Sequence, residues 1–293
     1  MGEARTGEGG GSKFERVLET LRAGIADGTY PVGSSLPPQR KLVEELDVSR
    51  ATVQKVLTRL KEEGAIASRQ GSGTWVLGAQ RVRSGGSAGG GPEGRVTLRS
   101  FFDRAFERPE VLLDIHTLTS ESLNTHIRLQ AERIRDREIA PERVLLRLLL
   151  PDPSTPLPYI TVKGHSEDGR LRERLCAITR THTDLLVSAL DELRRERLVP
   201  RVEVEIRHAK LAPTFKVYLR NRCEVLHGFY EVIERTIVDG GEEVEALDVL
   251  GLGATMTHHG KDDGDASSSV AVFVDNAQTW FDSVWKLLTV EGG

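Results

Sequence analysis

The sequence predicts a multidomain chain of the α/β class, with a small helical domain at the N-terminus and a larger domain of strands and helices after it. Apolar residues recur every three or four positions in the first sixty residues, which is the period of amphipathic helices. A Gly-rich stretch, residues 84–94, then interrupts this pattern. Beyond it, apolar runs typical of strands alternate with helical patterns, which predicts an α/β sandwich with a mixed sheet.

The N-terminal elements follow one another closely. A first helix is predicted over Phe14–Ala26, and two further helices meet at a short corner around Asp47–Ser49. A hairpin is predicted from short strands on either side of Gln70-Gly71-Ser72-Gly73, because glycines suit a tight turn. Three helices and a hairpin in this order predict a winged helix-turn-helix over residues 13–80, preceded by a disordered tail at residues 1–12.

The polar face of the third predicted helix carries side chains that can hydrogen-bond to bases and phosphates. It is formed by Ser49, Arg50, Thr52, Gln54 and Lys55. The net charge of the chain is −4, but residues 1–95 carry 14 Lys and Arg against 11 Asp and Glu, whereas residues 96–293 carry 26 against 33. A mildly basic N-terminal part and an acidic remainder are expected of a protein in which only the N-terminal part binds a polyanion.

Residues 13–77 resemble the winged-helix domain of the GntR family of bacterial transcription regulators. The motifs that carry the resemblance are Gly28-Thr-Tyr-Pro-Val-Gly33, Leu36-Pro37, Arg40, Val48-Ser-Arg-Ala-Thr-Val53 and Arg69-Gln-Gly-Ser-Gly-Thr74. The resemblance implies a homodimer that binds double-stranded DNA at a pseudo-palindromic operator. It also implies a C-terminal domain that receives an unknown small-molecule or protein effector, and we expect a repressor.

The resemblance assigns DNA contacts by position. Arg40 would hold a phosphate or a guanine from the second helix, and Gln70 and Gly71 would enter the minor groove with the wing. Pro38 departs from the family where a small polar residue usually caps the second helix. Gln54 stands where many relatives have an arginine, so we expect a phosphate or guanine contact to be lost or to become an adenine contact. The predicted DNA-binding residues are Arg40, Ser49, Arg50, Thr52, Gln54, Lys55, Gln70 and Gly71.

The larger domain is predicted over residues 96–293, after a linker at residues 81–95. Its apolar patterns predict strands near 111–118 and 144–150, helices over 120–139 and 169–197, further strands near 201–208, 214–220, 224–238, 243–251 and 270–274, a polar loop at 255–269 and a last helix over 276–289. Phe101, Phe102 and Phe106 lie just after the linker, and a docking segment there stays an open possibility.

Residues 207–221 are weakly similar to the His-x-Lys-x4-Asp strand of the phospholipase D-like fold. Thr214 stands at the position of the nucleophilic histidine, Lys216 at the lysine and Asn221 at the acid. Because the histidine is missing, no phosphohistidine intermediate can form. The resemblance therefore implies a non-catalytic descendant in which Lys216 contacts an anionic ligand, and the alternative is a solvated lysine on a strand.

Other chemistry is weakly supported. His258 and His259, with the aspartates at 262, 263 and 265, offer imidazole and carboxylate ligands for a metal, but we favour a solvated loop and predict no metal or cofactor. The two cysteines, Cys176 and Cys223, are too few for a disulfide framework and favour the reducing cytoplasm. Because DNA binding is expected, we expect the protein at the nucleoid. No apolar run is long enough to span a membrane, and residues 1–12 lack the apolar core of a signal peptide.

The sequence thus favours a transcription regulator without enzymatic activity. Two alternatives stay open. In the first, the chain is a DNA-tethered scaffold whose C-terminal domain binds a protein partner. In the second, the C-terminal domain is a phosphodiester-processing enzyme, which would need a complete His-x-Lys pair or a metal site.

Overall fold

The computed structural model describes residues 9–26, 29–30, 34–62, 65–69, 73–76, 82–84, 97–165, 167–251, 255–261 and 267–290. The chain divides into two compact units, residues 1–80 and 81–293. None of the helices in these ranges has the length and apolarity needed to cross a membrane.

The N-terminal unit has the element order of a winged helix. In the hairpin, Ile66 pairs with Val76 in antiparallel register, and residues 34–36 run beside the second strand, where the Leu36 N–H donates to the Thr74 carbonyl at 2.8 Å. The first helix begins four residues inside the predicted tail. The elements are α1 (Gly9–Ala26), α2 (Gln39–Leu46), α3 (Arg50–Glu62), β1 (Ile66–Arg69) and β2 (Gly73–Val76).

One apolar core holds these elements together. Its side chains recur at three- and four-residue spacing on the helices, so each helix turns a single stripe inward. Full burial of such a side chain stabilises the fold by roughly 1.5–3 kcal/mol. The most deeply buried members are Val17, Leu18, Leu21, Ile25, Leu42, Val53, Val56, Leu60, Ile66 and Val76.

The C-terminal unit is an α/β domain with a mixed sheet, as predicted. Its helices are α4 (Leu98–Phe106), α5 (Glu121–Arg135), α6 (Arg170–Arg195) and α7 (Ser269–Leu287). Its strands are β3 (Val82–Ser84), β4 (Glu110–His116), β5 (Arg143–Pro151), β6 (Thr161–Val162), β7 (Arg201–Ala209), β8 (Phe215–Arg220), β9 (Glu224–Phe229), β10 (Glu231–Asp239), β11 (Glu242–Leu250), β12 (Met256–Gly260) and β13 (Thr289–Val290).

The main sheet has the strand order β13-β7-β5-β4-β8-β9-β12-β3. Its centre is formed by β4, β5 and β7, which are parallel and in register from Glu110, Arg143 and Arg201 onward. The carboxyl ends of these three strands therefore meet at one edge. The strands β8, β9 and β12 continue the sheet in antiparallel order.

Alternating strand residues bury the two faces of the main sheet against different helices. On one face, residues such as Leu113, Leu146 and Tyr218 pack with α4, α5 and α6. On the other, Leu149 and Leu219 pack with α7. A smaller sheet, β10-β11-β6, packs its apolar residues with the start of α6 in a third cluster.

Three predicted elements of this domain are wrong. The strand expected over 224–238 is two strands in different sheets, β9 and β10, which are separated by Tyr230. The Tyr230 hydroxyl accepts a hydrogen bond from the Leu118 N–H at 2.8 Å, which holds the residue between the two strands. The loop expected at 255–269 contains β12, an antiparallel partner of β9. The strand expected at 270–274 is the first turn of α7, since Ser268 caps it by accepting from the Ala271 N–H at 3.1 Å.

The predicted linker also differs from the structure at its start. Residues 82–84 form β3, which pairs in parallel with β12, so they belong to the main sheet. The rest of the Gly-rich stretch, up to residue 96, lies outside the described residues. The docking segment considered for Phe101, Phe102 and Phe106 is instead the buried face of α4.

Candidate DNA-binding surface

The third helix of the N-terminal unit separates its side chains cleanly by polarity. Val53, Val56 and Leu60 are fully buried in the core. The opposite side of α3 is exposed and carries hydrogen-bonding and basic groups. Its exposed residues are Arg50, Ala51, Gln54, Lys55, Thr58 and Lys61. The helix therefore presents one continuous polar face of about three turns.

Two residues of this surface were missed by the sequence reasoning. Thr58 and Lys61 lie four and seven residues after Gln54, which places them on the same face. Their spacing was the available signal. Thr58 donates its hydroxyl to the Gln54 carbonyl at 2.9 Å, so it stays close to the helix surface.

The start of α3 is fixed by a serine cap. Ser49 Oγ accepts from the Thr52 N–H at 3.1 Å and lies 2.9 Å from Thr52 Oγ1. The Ser49 carbonyl accepts the first helical bond, from Val53, at 3.1 Å. Two of the predicted contact residues thus have a structural role, because their hydroxyls hold the first turn that carries Arg50.

The corner before the cap depends on Asp47. This residue has a left-handed backbone, φ 49°, and its N–H donates to the Val43 carbonyl at the end of α2. Aspartate tolerates this conformation better than most residues do. The corner leaves Val48 buried and Ser49 at the surface, which sets the direction in which α3 leaves α2.

Basic residues also mark the start of α2. The Arg40 side chain is 92% exposed and lies 3.3 Å from Glu44, and Lys41 lies 3.4 Å from Glu45. Exposed pairs of this kind contribute little stability, so either cation can exchange its carboxylate for a phosphate. Pro38 precedes the helix in an extended conformation and its carbonyl accepts from Lys41 and Leu42. No side chain caps α2 at this position.

The wing residues Gln70 and Gly71 lie outside the described residues. The strands that flank them are described: Arg69 and Gly73 form the last antiparallel pair before the turn. The minor-groove contact expected of Gln70 and Gly71 therefore stays a prediction.

The residues of the C-terminal unit that were compared with the phospholipase D-like motif do not form one site. Lys216 is buried, and its Nζ donates to the Gly251 carbonyl, so the interpretation as a solvated strand lysine is wrong. Asn221 lies at the opposite end of β8, where it accepts from the Leu112 N–H at 2.8 Å and donates to the Glu110 carbonyl at 3.1 Å. Thr214 is exposed. The phospholipase D-like resemblance is not confirmed.

The histidines considered as metal ligands belong to β12. His258 Nε2 lies 2.5 Å from Glu224 Oε1, and Arg104 and Arg220 pair with the same carboxylate. Burial acts to raise the pKa of Glu224, but hydrogen bonds from His258 and Arg104 and the nearby arginine charges lower it to about 2. In the part of the chain that is described, no three His, Cys, Asp or Glu residues are grouped to hold a metal. The aspartates at 262, 263 and 265 lie outside it.

Comparisons with known proteins identify the N-terminal unit. Residues 13–76 match the family of bacterial regulatory proteins called the gntR family. An uncharacterized HTH-type transcriptional regulator of Mycobacterium tuberculosis is 45% identical over 62 residues, which are 21% of this chain and 26% of the relative. The Uxu operon transcriptional regulator of Escherichia coli is 28% identical over 174 residues, 59% of this chain and 60% of the relative.

A solved GntR family transcriptional regulator from Listeria monocytogenes is 22% identical and covers 26% of this chain and 61% of its own, with a TM-score of 0.22. The chain thus spans between about a quarter and 60% of the curated relatives named above. The family match lies wholly within the unit that carries the exposed face of α3.

Proposed function

We propose, from the GntR-family winged-helix domain that residues 13–76 form, that this protein is a DNA-binding transcription regulator. Its N-terminal domain would bind operator DNA, and its C-terminal domain would sense an effector without catalysing a reaction. The observation that carries the proposal is the exposed polar and basic face of α3, on a domain of a family of regulators. A helix with one apolar stripe and one such face suits the major groove.

The roles of individual residues follow from their positions. Arg50 and Gln54 lie one turn apart on the exposed face of α3, so both side chains can reach base edges. Arg40 and Lys55 are exposed and suit phosphate contacts. Ser49 and Thr52 would act at the helix start, and Gln70 and Gly71 would insert the wing into the minor groove.

A dimer would double this surface. We infer a homodimer on a pseudo-palindromic operator, because two copies of α3 related by two-fold symmetry read two half-sites one helical turn apart. A bound dimer can block transcription, so we infer a repressor that acts at the nucleoid in the cytoplasm. The C-terminal domain would supply the signal. Lys216, if it contacts an anionic effector, would need its hydrogen bond to Gly251 to open.

The test removes one base-reading side chain and measures sequence-specific binding. An operator is first selected from a random DNA pool with the wild-type protein, and affinities are then measured by gel-shift titration at one fixed salt concentration. Arg50→Ala should weaken operator binding by roughly 1–3 kcal/mol, which is about fivefold to 150-fold, and leave the fold intact.

Lys13→Ala is the matched control, because Lys13 is an exposed cation on α1 rather than on α3. It should bind the operator as the wild type does. Equal operator affinity for Arg50→Ala and Lys13→Ala would contradict the assignment of α3 as the recognition helix.

A further inference from the structure

A cavity in the C-terminal unit lies at the carboxyl ends of the parallel strands. Its volume is about 410 Å³, and it is bounded by the end of β5 at Leu150, by Ile206 and His208 of β7, and by the N-terminal half of α6. In open α/β sheets, ligands bind outside the carboxyl ends of the strands. A volume between roughly 300 and 1,000 Å³ is that of a small-molecule site.

Most of the cavity wall is apolar. Leu118 follows β4, Leu150 is the second-last residue of β5, and Leu175 lies on α6. Two prolines, Pro151 and Pro153, form the connecting segment on one side and restrict its backbone. Such walls favour a ligand with an apolar body, because each buried methylene contributes roughly 0.8 kcal/mol.

The rim of the cavity carries two arginines on one stripe of α6. Arg172 and Arg180 are eight residues apart, with Cys176 midway between them, so all three face the cavity. Both arginines are exposed, and neither forms a hydrogen bond or an ion pair with another residue of the described ranges. By contrast, Arg170 of the same helix lies 2.8 Å from Asp168.

Two carboxylates, Asp152 and Asp184, also line the rim, but within the described ranges neither forms an ion pair with Arg172 or Arg180. Asp152 Oδ1 accepts from the Ser154 N–H at 2.8 Å and from its hydroxyl at 2.6 Å. These hydrogen bonds lower the pKa of Asp152, so it stays ionised, and they tie its Oδ1 to its own turn. Asp184 is exposed and lines the rim beyond Arg180. The guanidinium groups are therefore the available partners for an anion.

We propose that this cavity binds a small organic acid, with its carboxylate held by Arg172 and Arg180 and its apolar body against Leu118, Leu150 and Leu175. The inference rests on the proposed effector-sensing role of the C-terminal domain and names the chemical class of the effector. A guanidinium matches a carboxylate through two parallel hydrogen bonds, which adds orientation to affinity. A ligand therefore needs both a carboxylate for the arginines and an apolar body for the cavity wall.

The position of Cys176 allows a direct test on the full-length protein. Cys176 is half-buried in the cavity wall, whereas Cys223 is exposed on the turn after β8. Alkylation of both thiols by iodoacetamide is followed by mass spectrometry with octanoate as the probe. Octanoate at ten times its dissociation constant should slow alkylation of Cys176 roughly tenfold, since only the free protein reacts, and leave Cys223 unchanged.

Two further probes separate the parts of the proposal. Octanol has the apolar body without the charge, and inorganic phosphate has charge without the body, so each should protect Cys176 far less than octanoate does. Equal protection by octanol would overturn the role of the arginines. Equal protection by phosphate would overturn the role of the apolar wall.

The arginine pair is tested by Arg172→Gln combined with Arg180→Gln. Losing charge-assisted hydrogen bonds should raise the octanoate dissociation constant about tenfold or more. Arg174→Gln is the matched control, because Arg174 is exposed on α6 but does not line the cavity. Failure of octanoate to protect Cys176, or protection that survives the double substitution, would overturn the proposal. Thiol protection needs no DNA, so this result is separate from the gel-shift test of operator binding.

Discussion

Replacing Lys216 by methionine removes a buried amino group and with it a pH-dependent part of the stability. Lys216 is 2% exposed, and its Nζ donates to the Gly251 carbonyl and lies 5.7 Å from the centre of the Tyr230 ring. Desolvation lowers the pKa of this amine from 10.5 to about 7. Methionine is flexible and uncharged, so it fills similar space without a proton to release.

The sign and size of the effect follow from proton counting. Above pH 7 the unfolded chain keeps a proton on Lys216 that the folded protein has largely released. The contribution of Lys216 to the free energy of unfolding therefore rises with pH up to about pH 10.5. Each pH unit of this imbalance is worth roughly 1.4 kcal/mol. The folded lysine is half protonated at pH 7 and almost neutral at pH 9. The wild type should therefore gain roughly 2 kcal/mol over this interval that Lys216→Met does not gain.

The measurement is the free energy of unfolding in urea at pH 7 and pH 9. Lys210→Met serves as the control, because Lys210 is exposed shortly before β8. Its pH dependence should equal that of the wild type, whereas that of Lys216→Met should be flatter. Other titrating groups cancel when the proteins are compared at the same two pH values. If all three proteins show parallel pH dependence, Lys216 does not lose its proton in this range and the argument fails.

Two further predictions follow from contacts of the described residues. Ser49→Ala removes the cap of α3 and should lower the free energy of unfolding by about 1 kcal/mol in urea titration; an unchanged midpoint would mean that the Thr52 N–H is satisfied otherwise. A fragment of residues 97–293 lacks β3, so in hydrogen exchange the amides of β12 that face β3 should exchange about fivefold faster or more than in a fragment of residues 81–293. Identical exchange rates of the β12 amides in the two fragments would mean that residues 82–84 belong to the linker and not to the sheet.

The N-terminal domain could be predicted closely from the sequence because its signals are local. The apolar spacing of α3 places Val53, Val56 and Leu60 inward, and the structure buries all three. The same spacing fixes the exposed face. The capping role of Ser49 was also readable, since a serine directly before an apolar-periodic segment marks a helix start. It was assigned to DNA alone, although its hydroxyl is held by Thr52.

The C-terminal domain was predicted in outline but not in detail, because its errors depend on tertiary contacts. Residues 270–274 are rich in β-branched side chains and favour a strand locally, yet Val274 and Phe281 share one buried helical stripe. The cap at Ser268 and the core under α7 decide the conformation. The cavity near Arg172 and Arg180 was also missed, since it exists only where three strand ends meet α6.

The Gly-rich stretch shows why composition does not reveal what a segment connects. Residues 84–94 have the composition of a tether between two domains. However, β3 ends at Ser84 and pairs with β12, and α4 starts at Leu98 on the other side of the stretch. Both flanking elements belong to the C-terminal unit, so the stretch closes a connection within that unit. The covalent link from β2 to β3 is residues 77–81, so the N-terminal unit and the main sheet of the C-terminal unit are joined along the chain through these five positions.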